Sequence, residues 1–171
     1  EDDLIIKHFP SRTASVQTLD AHLRLLYTHL EFQPGLIIVD YAGEMAGVSA
    51  KRQQGSSERY YELGGVFSDL TSLTQQRHAS LWTGAQANRS KAVRDLLTIE
   101  DIAEAFRGVF TASTVISLNQ SPLEYANQQM RIFLAKNRKG MAKQTIQIAT
   151  NFASGSFYRK VVQDDGSWGE E

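Results

Sequence analysis

Four consecutive apolar residues, Leu36–Ile37–Ile38–Val39, run straight into a carboxylate, Asp40, and an aromatic, Tyr41. Such a run, rich in β-branched residues, predicts a short strand buried on both faces, the pattern of a parallel sheet covered by helices. Sheets of that kind present their chemistry in the crevice beyond the carboxyl ends of the strands. Asp40 falls at such an end. A carboxylate there has the reach to hold Mg²⁺ beside phosphates, directly or through water. A purely structural strand-end carboxylate, capping neighbouring backbone, is the competing reading.

At 171 residues the chain is long enough for one domain with a real core, and its 42% apolar and 22% charged content is ordinary for a globular protein. The formal net charge of −1 favours no particular partner, so any nucleic-acid contact has to be a local patch. There is no cysteine, which excludes disulfides, thiolate metal sites and a cysteine nucleophile. No apolar run reaches membrane-spanning length, and Glu1-Asp2-Asp3 is unlike a signal peptide. The expected setting is a cytoplasmic one, without membrane contact. The first residue is not Met, so a fragment or processed chain is expected.

Leu4–Phe9 reads as a first strand, stopped by Pro10. Thr13 or Ser15 caps a helix whose apolar stripe is Val16, Leu19, Leu23, Leu26 and Leu30. Pro34-Gly35 leads into the strand to Asp40. A polar loop from Ser49 to Ser57 precedes a long helix with Tyr60, Leu63, Phe67, Leu70 and Leu73 on its buried side. Ser80–Ala85 is the next strand, followed by Gln86, with Trp82 taken as core packing. Thr98 and Asp101 form a capping-type pair before a short helix. Thr114–Leu118 is a further strand. Gln129–Lys136 and Gln144–Thr150 alternate around Lys139-Gly140, a hairpin signal, and Phe157–Val162 adds one strand more. The fold class is α/β: a mostly parallel sheet flanked by helices, with an antiparallel C-terminal extension. Residues 1–162 are expected to form the domain and residues 163–171 a flexible tail.

Three segments then line up: Leu36–Tyr41, Thr83–Gly84–Ala85–Gln86–Ala87–Asn88–Arg89, and Phe133–Leu134–Ala135–Lys136–Asn137–Arg138–Lys139–Gly140. In this order they resemble the RecA-like motor domain of DnaB-type replicative helicases, with its strand ending Asp-Tyr, strand ending Gln-x-Asn-Arg and Ala-Lys-x-Arg-x-Gly hairpin. The resemblance spans roughly Leu36 to Phe157. It implies that Asp40 is the Walker B carboxylate that positions Mg²⁺, and that Gln86 is a polar sensor of the γ-phosphate. It implies that Lys136 and Arg138 reach the nucleotide of a neighbouring subunit, where a guanidinium stabilises the charge of phosphoryl transfer. The implied cofactors are ATP and Mg²⁺. The implied partners are further copies of the chain in a hexameric ring, and single-stranded DNA. Lys51 and Arg52, and then Arg89, Lys91 and Arg94, lie in the loops that face DNA in such rings; ordinary polar loops are the alternative. Localisation would be the cytosol of a bacterium or phage-infected host.

One departure matters. The phosphate loop of this class, Gly-x-x-x-x-Gly-Lys-Ser/Thr, is absent, since no Gly-Lys-Ser/Thr occurs in the chain. The chain is therefore expected to be the back half of a motor domain, truncated at its N-terminal side and inactive alone. A KaiC-like or recombination-mediator RecA-family regulator, or an assembly module that hydrolyses nothing, remains open. Glu44, four residues beyond Asp40, is weighed as a base and set aside.

Overall fold

The computed structural model describes residues 4–47, 56–86, 96–101 and 107–164. The chain divides into two compact units, one comprising residues 1–86 and 106–111, the other residues 87–105 and 112–171.

The first unit is built on helix α1 (Val16–Leu30), strand β1 (Leu36–Val39), helix α2 (Ser56–Arg77) and strand β2 (Ser80–Thr83). Of the two candidate caps, Ser15 starts α1. Its hydroxyl accepts from the Thr18 N–H, and the Thr18 hydroxyl accepts in return from the Ser15 N–H. Glu31 closes the helix in a left-handed conformation. Val16 and Leu23 are buried and Leu19 packs against the core, whereas Leu30, expected on the same stripe, is exposed. Val66, Phe67, Leu70 and Leu73 form the buried side of α2. Arg77, in its last turn, pairs with Asp20 of α1 and ties the two helices together. Ser56 and Ser57, expected in the loop, belong to α2, and Tyr60's side chain lies outside the described residues.

β1 and β2 pair in parallel, Leu36 opposite Ser80 through Val39 opposite Thr83. Ile37 is buried and Val39 and Leu81 pack against the helical core. The opposite face was expected to be buried as well, and it is not. Leu36 is 50% exposed, Ile38 70% and Trp82 60%. Ile38 and Trp82 are register partners, so their side chains share that face. Both helices of this unit serve the Ile37 side, and no described element covers the other. Trp82 is therefore not core packing. Nor is Leu4–Phe9 a strand: with no described strand beside it to complete a ladder, the segment runs irregularly, and Phe9 rests edge-on against His22 of α1.

The second unit is a four-stranded antiparallel sheet in the order β3 (Thr114–Asn119), β4 (Gln129–Asn137), β5 (Gln144–Asn151), β6 (Ser156–Asp164). The hairpin and the last strand match expectation, β6 extending through Gln163 and Asp164. β3 differs from it: it pairs antiparallel with β4, not within the parallel sheet. The turn between them, Asn119 to Asn127, contains the helical segment Pro122–Ala126. Its start is fixed by a capping box in which the Ser121 hydroxyl accepts from Glu124 N–H and Glu124 accepts from Ser121 N–H. Glu124 also pairs with Arg131 of β4 at 2.6 Å.

Candidate functional site

β1 and β2 run in parallel, so their carboxyl ends lie side by side, with Val39 opposite Thr83. Asp40 leaves the first end and Gln86 follows the second by three residues. Both are exposed. One side chain clamps the two ends. The Thr83 hydroxyl donates to the Val39 carbonyl at 2.8 Å and accepts from the Ala42 N–H at 2.9 Å. Asp40 and Tyr41, joined by a cis peptide, lie between those two anchor points. Among the described residues no hydrogen bond or ion pair engages the Asp40 carboxylate.

Glu44 is held differently. Ser11 donates to one of its carboxylate oxygens and the Tyr41 hydroxyl to the other, the latter at 3.1 Å, while Arg12 N–H donates to its carbonyl. Occupied at both oxygens, it braces the Ala42–Glu44 turn and does not stand ready as a base. Gly43 makes the brace feasible, because a Cβ there would lie 2.5 Å from the Tyr41 ring. Thr83 and Ser11 are the residues of this end that sequence reasoning missed, and Tyr41, quoted there beside Asp40, is the second donor to Glu44. A threonine closing a strand carries no signal of what it clamps.

Open grooves exist elsewhere on this unit. One of about 460 Å³ runs between α1 and α2 past Asp20, Arg24 and Asp69, and one of about 140 Å³ lies by Tyr27, Phe32 and Pro34. Neither includes Asp40 or Gln86. At Asp20, burial pushes the carboxyl upward, but hydrogen bonds and charge from Arg77 and Arg24 outweigh it and hold the group below its usual range. Among the described residues no cluster of three or more His, Asp or Glu side chains could by itself hold a metal. Mg²⁺ asks less, since it keeps several waters and takes one or two carboxylates plus substrate phosphates. Asp40 fits that role.

In the second unit, Lys136 lies near the end of β4 and Arg138 just past it, with the Arg138 N–H donating to the Ser113 carbonyl at 2.9 Å. Burial, and then the nearby charge of Arg138, lower the Lys136 pKa, so the two cations are close enough to feel each other. The hairpin turn beyond is organised by Asn137, whose side chain accepts from the Lys139 N–H and donates to the Met141 carbonyl. Lys51, Arg52, Arg89, Lys91 and Arg94 lie outside the described residues.

The fold is similar to those of two solved proteins. One solved ATPase domain superposes with a TM-score of 0.69 at 18% identity, covering 86% of this chain and 52% of that one. A DnaB-like replicative helicase, solved in a study of its interactions with primase, superposes with a TM-score of 0.63 at 16% identity, covering 84% of this chain and 34% of that one. The architecture is thus the α/β, RecA-like one of helicase ATPase domains. In sequence the chain is homologous to the DnaB-like replicative helicase of Enterobacteria phage T4, 28% identical over 137 residues, which is 80% of this chain and 28% of that protein. The resemblance to DnaB-type replicative helicases therefore holds in sequence as well as in fold. No protein-family model matches the chain. The chain spans little more than a quarter of the length of its T4 relative and about half of the solved ATPase domain.

Among the described residues no helix is long and apolar enough to cross a membrane.

Proposed function

We propose that the chain forms the later part of an ATP-driven helicase motor of the DnaB type, in which hydrolysis between subunits is coupled to movement along single-stranded DNA. The observation that supports this reading is the parallel pairing of β1 with β2, which sets the strand ends preceding Asp40 and Gln86 side by side on a chain homologous to a DnaB-like helicase. A bound Mg²⁺–nucleotide supplies the phosphoryl group that is transferred to water. The chain's own residues do the rest. Asp40 holds the metal side, and Gln86 hydrogen-bonds near the γ-phosphate. Lys136 and Arg138, presented to an adjacent copy, spread positive charge over the transferred group. Arg138 offers a planar fork and Lys136 a compact point charge. On this reading residues 1–162 act as one functional domain, partners are further copies in a ring, and Lys51, Arg52, Arg89, Lys91 and Arg94 contact DNA phosphates.

The phosphate-cradling loop is not among these residues, so the purified chain is expected to show only background Mg²⁺-dependent ATP hydrolysis. Turnover that Asp40→Ala abolishes would overturn that division of roles. The helicase reading itself is tested by replacing the matching segment of the T4 DnaB-like helicase with residues 36–157 of this chain. The hybrid should hydrolyse ATP. Arg138→Ala in it should cost about 10³-fold or more in turnover while nucleotide binding persists. Equal loss of binding and turnover, or no loss, would remove Arg138 from the site.

A further inference from the structure

We propose that the outer edge of the antiparallel sheet is a track for single-stranded nucleic acid, with Phe157 and Tyr158 as stacking rings and Arg159 and Lys160 as phosphate contacts. The net charge of the chain conceals a strong internal asymmetry. From Tyr125 to Gln163 there is no Asp or Glu, yet this stretch holds seven of the eighteen Lys and Arg residues, leaving eleven cations against nineteen acids elsewhere. The stretch is almost wholly the sheet. A surface so biased attracts a polyanion.

The edge adds rings to the charge. β6 is last in the strand order, so no described strand pairs with its outer side. Phe157 is 43% exposed and Tyr158 56%, unusual exposure for aromatic rings in a sheet, and Arg159 and Lys160 are exposed beside them. The register with β5 shifts between Ala149 and Asn151, so the strand is irregular between Ser156 and Lys160, and along that stretch the two rings are followed directly by the two cations. The rings are held in place: Asn151 caps the Phe152–Ser154 turn, Gly155 reverses the chain at φ 70°, and Phe152 lies against Phe157 with centroids 6.4 Å apart. Among the described residues no carboxylate pairs with Arg159 or Lys160. Stacking rings beside cations are what binders of unpaired strands use, because only an unpaired base offers its face. The argument for this surface uses none of the five loop cations and requires no nucleotide at Asp40.

Fluorescence anisotropy tests it, with labelled oligo(dT) of about 16 nucleotides, a duplex of the same length, inorganic polyphosphate and an acidic peptide as probes for the whole chain. The single strand should bind tightest. Phe157→Ala and Tyr158→Ala should each weaken it by about fivefold or more without changing the salt dependence. The double variant Arg159→Gln, Lys160→Gln should flatten the log–log salt slope by about 1.4, two contacts at about 0.7 each. Lys7→Gln and Arg24→Gln should do neither, and circular dichroism with thermal midpoints checks that each variant is folded. Equal binding of oligo(dT) and polyphosphate, preference for the duplex or the acidic peptide, or indifference to the ring variants would overturn the proposal. The readout is independent of hydrolysis, so such a failure leaves the helicase reading untouched.

Discussion

The parallel pair β1–β2 and the antiparallel sheet β3–β6 solve the same problem by opposite means. Parallel strands cannot be joined by a tight turn, so each of the two is reached through a helix, and the sheet depends on other elements to cover its faces. The antiparallel strands follow one another directly, β3 to β4 through the short Pro122–Ala126 helical segment, and each pairs with its sequence neighbour. Among the described residues the first unit consequently has its core on one side of β1–β2, with Leu36, Ile38 and Trp82 exposed on the other. The second buries Ile148 and Thr150 at the centre of a ladder that local sequence completes. Parallel neighbours place two carboxyl ends together, as β1 and β2 do at Val39 and Thr83.

The strongest way to break this contrast is to hollow each unit in turn. Leu70→Ala in α2 and Ile148→Ala in β5 remove side chains that are each 1% exposed, and each should cost about 2–5 kcal/mol. Hydrogen exchange should show the first loosening α1 and α2 while β4 and β5 stay protected, and the second the reverse. Uniform acceleration across both would mean that the two units do not fold as separate bodies.

A smaller effect comes from Glu124. Its carboxyl is raised by burial but held lower overall by Arg131 and by the Ser121 N–H and hydroxyl. A folded pKa below the ordinary 4.5 means that this stabilisation is complete above that value and disappears as pH falls through the folded pKa. Glu124→Gln should therefore lower the thermal midpoint near neutrality, by the equivalent of about 1–3 kcal/mol, and the gap to the unmodified chain should close as pH falls below 4.5 and through the folded pKa. A gap independent of pH would assign the loss to packing.

Thr83→Val keeps the shape of the clamp and removes its hydroxyl. About 1–2 kcal/mol is expected, with amide shifts in nuclear magnetic resonance concentrated at Val39 to Ala42. Shifts spread over α1 and α2 instead would argue against a local clamp. Least costly to the fold is Ile38→Ser with Trp82→Ser, expected to alter stability by about 0.5 kcal/mol or less. Its effect should appear in light scattering: the unmodified chain is expected to self-associate through this apolar face and the double variant to remain monomeric. A monomer in both cases would show the face to be tolerated in water.

The sequence was most legible where a local rule decides. The Ser15 cap, the α2 stripe through Phe67, Leu70 and Leu73, the Thr98–Asp101 pair and the β4–β5 hairpin all follow from residues within a few positions of each other. It was least legible where a partner decides. The apolar run at Leu4–Phe9 looks like a strand, yet has no described neighbour to bond. Thr114–Leu118 was recognisable as a strand, but alternation says nothing of whether its neighbour runs parallel. The run Leu36–Val39 suited burial on both faces, and only coordinates show that one is bare. Near the proposed site, the runs before Asp40 and Gln86 were legible as strands, and the two strands pair in parallel. The occupied oxygens of Glu44 depend on Ser11, thirty-three residues away, and no spacing rule reaches so far.

The Thr83 hydroxyl grips the chain on either side of Asp40, at Val39 and at Ala42. The intervening backbone is a loop too short to wander, so the aspartate has little freedom left beyond rotation of its own side chain. On the proposed reading, a cation arriving there would meet a ligand already ordered by folding. It follows that motion of β2, the strand bearing the threonine, is passed to the acid as displacement, not absorbed as slack.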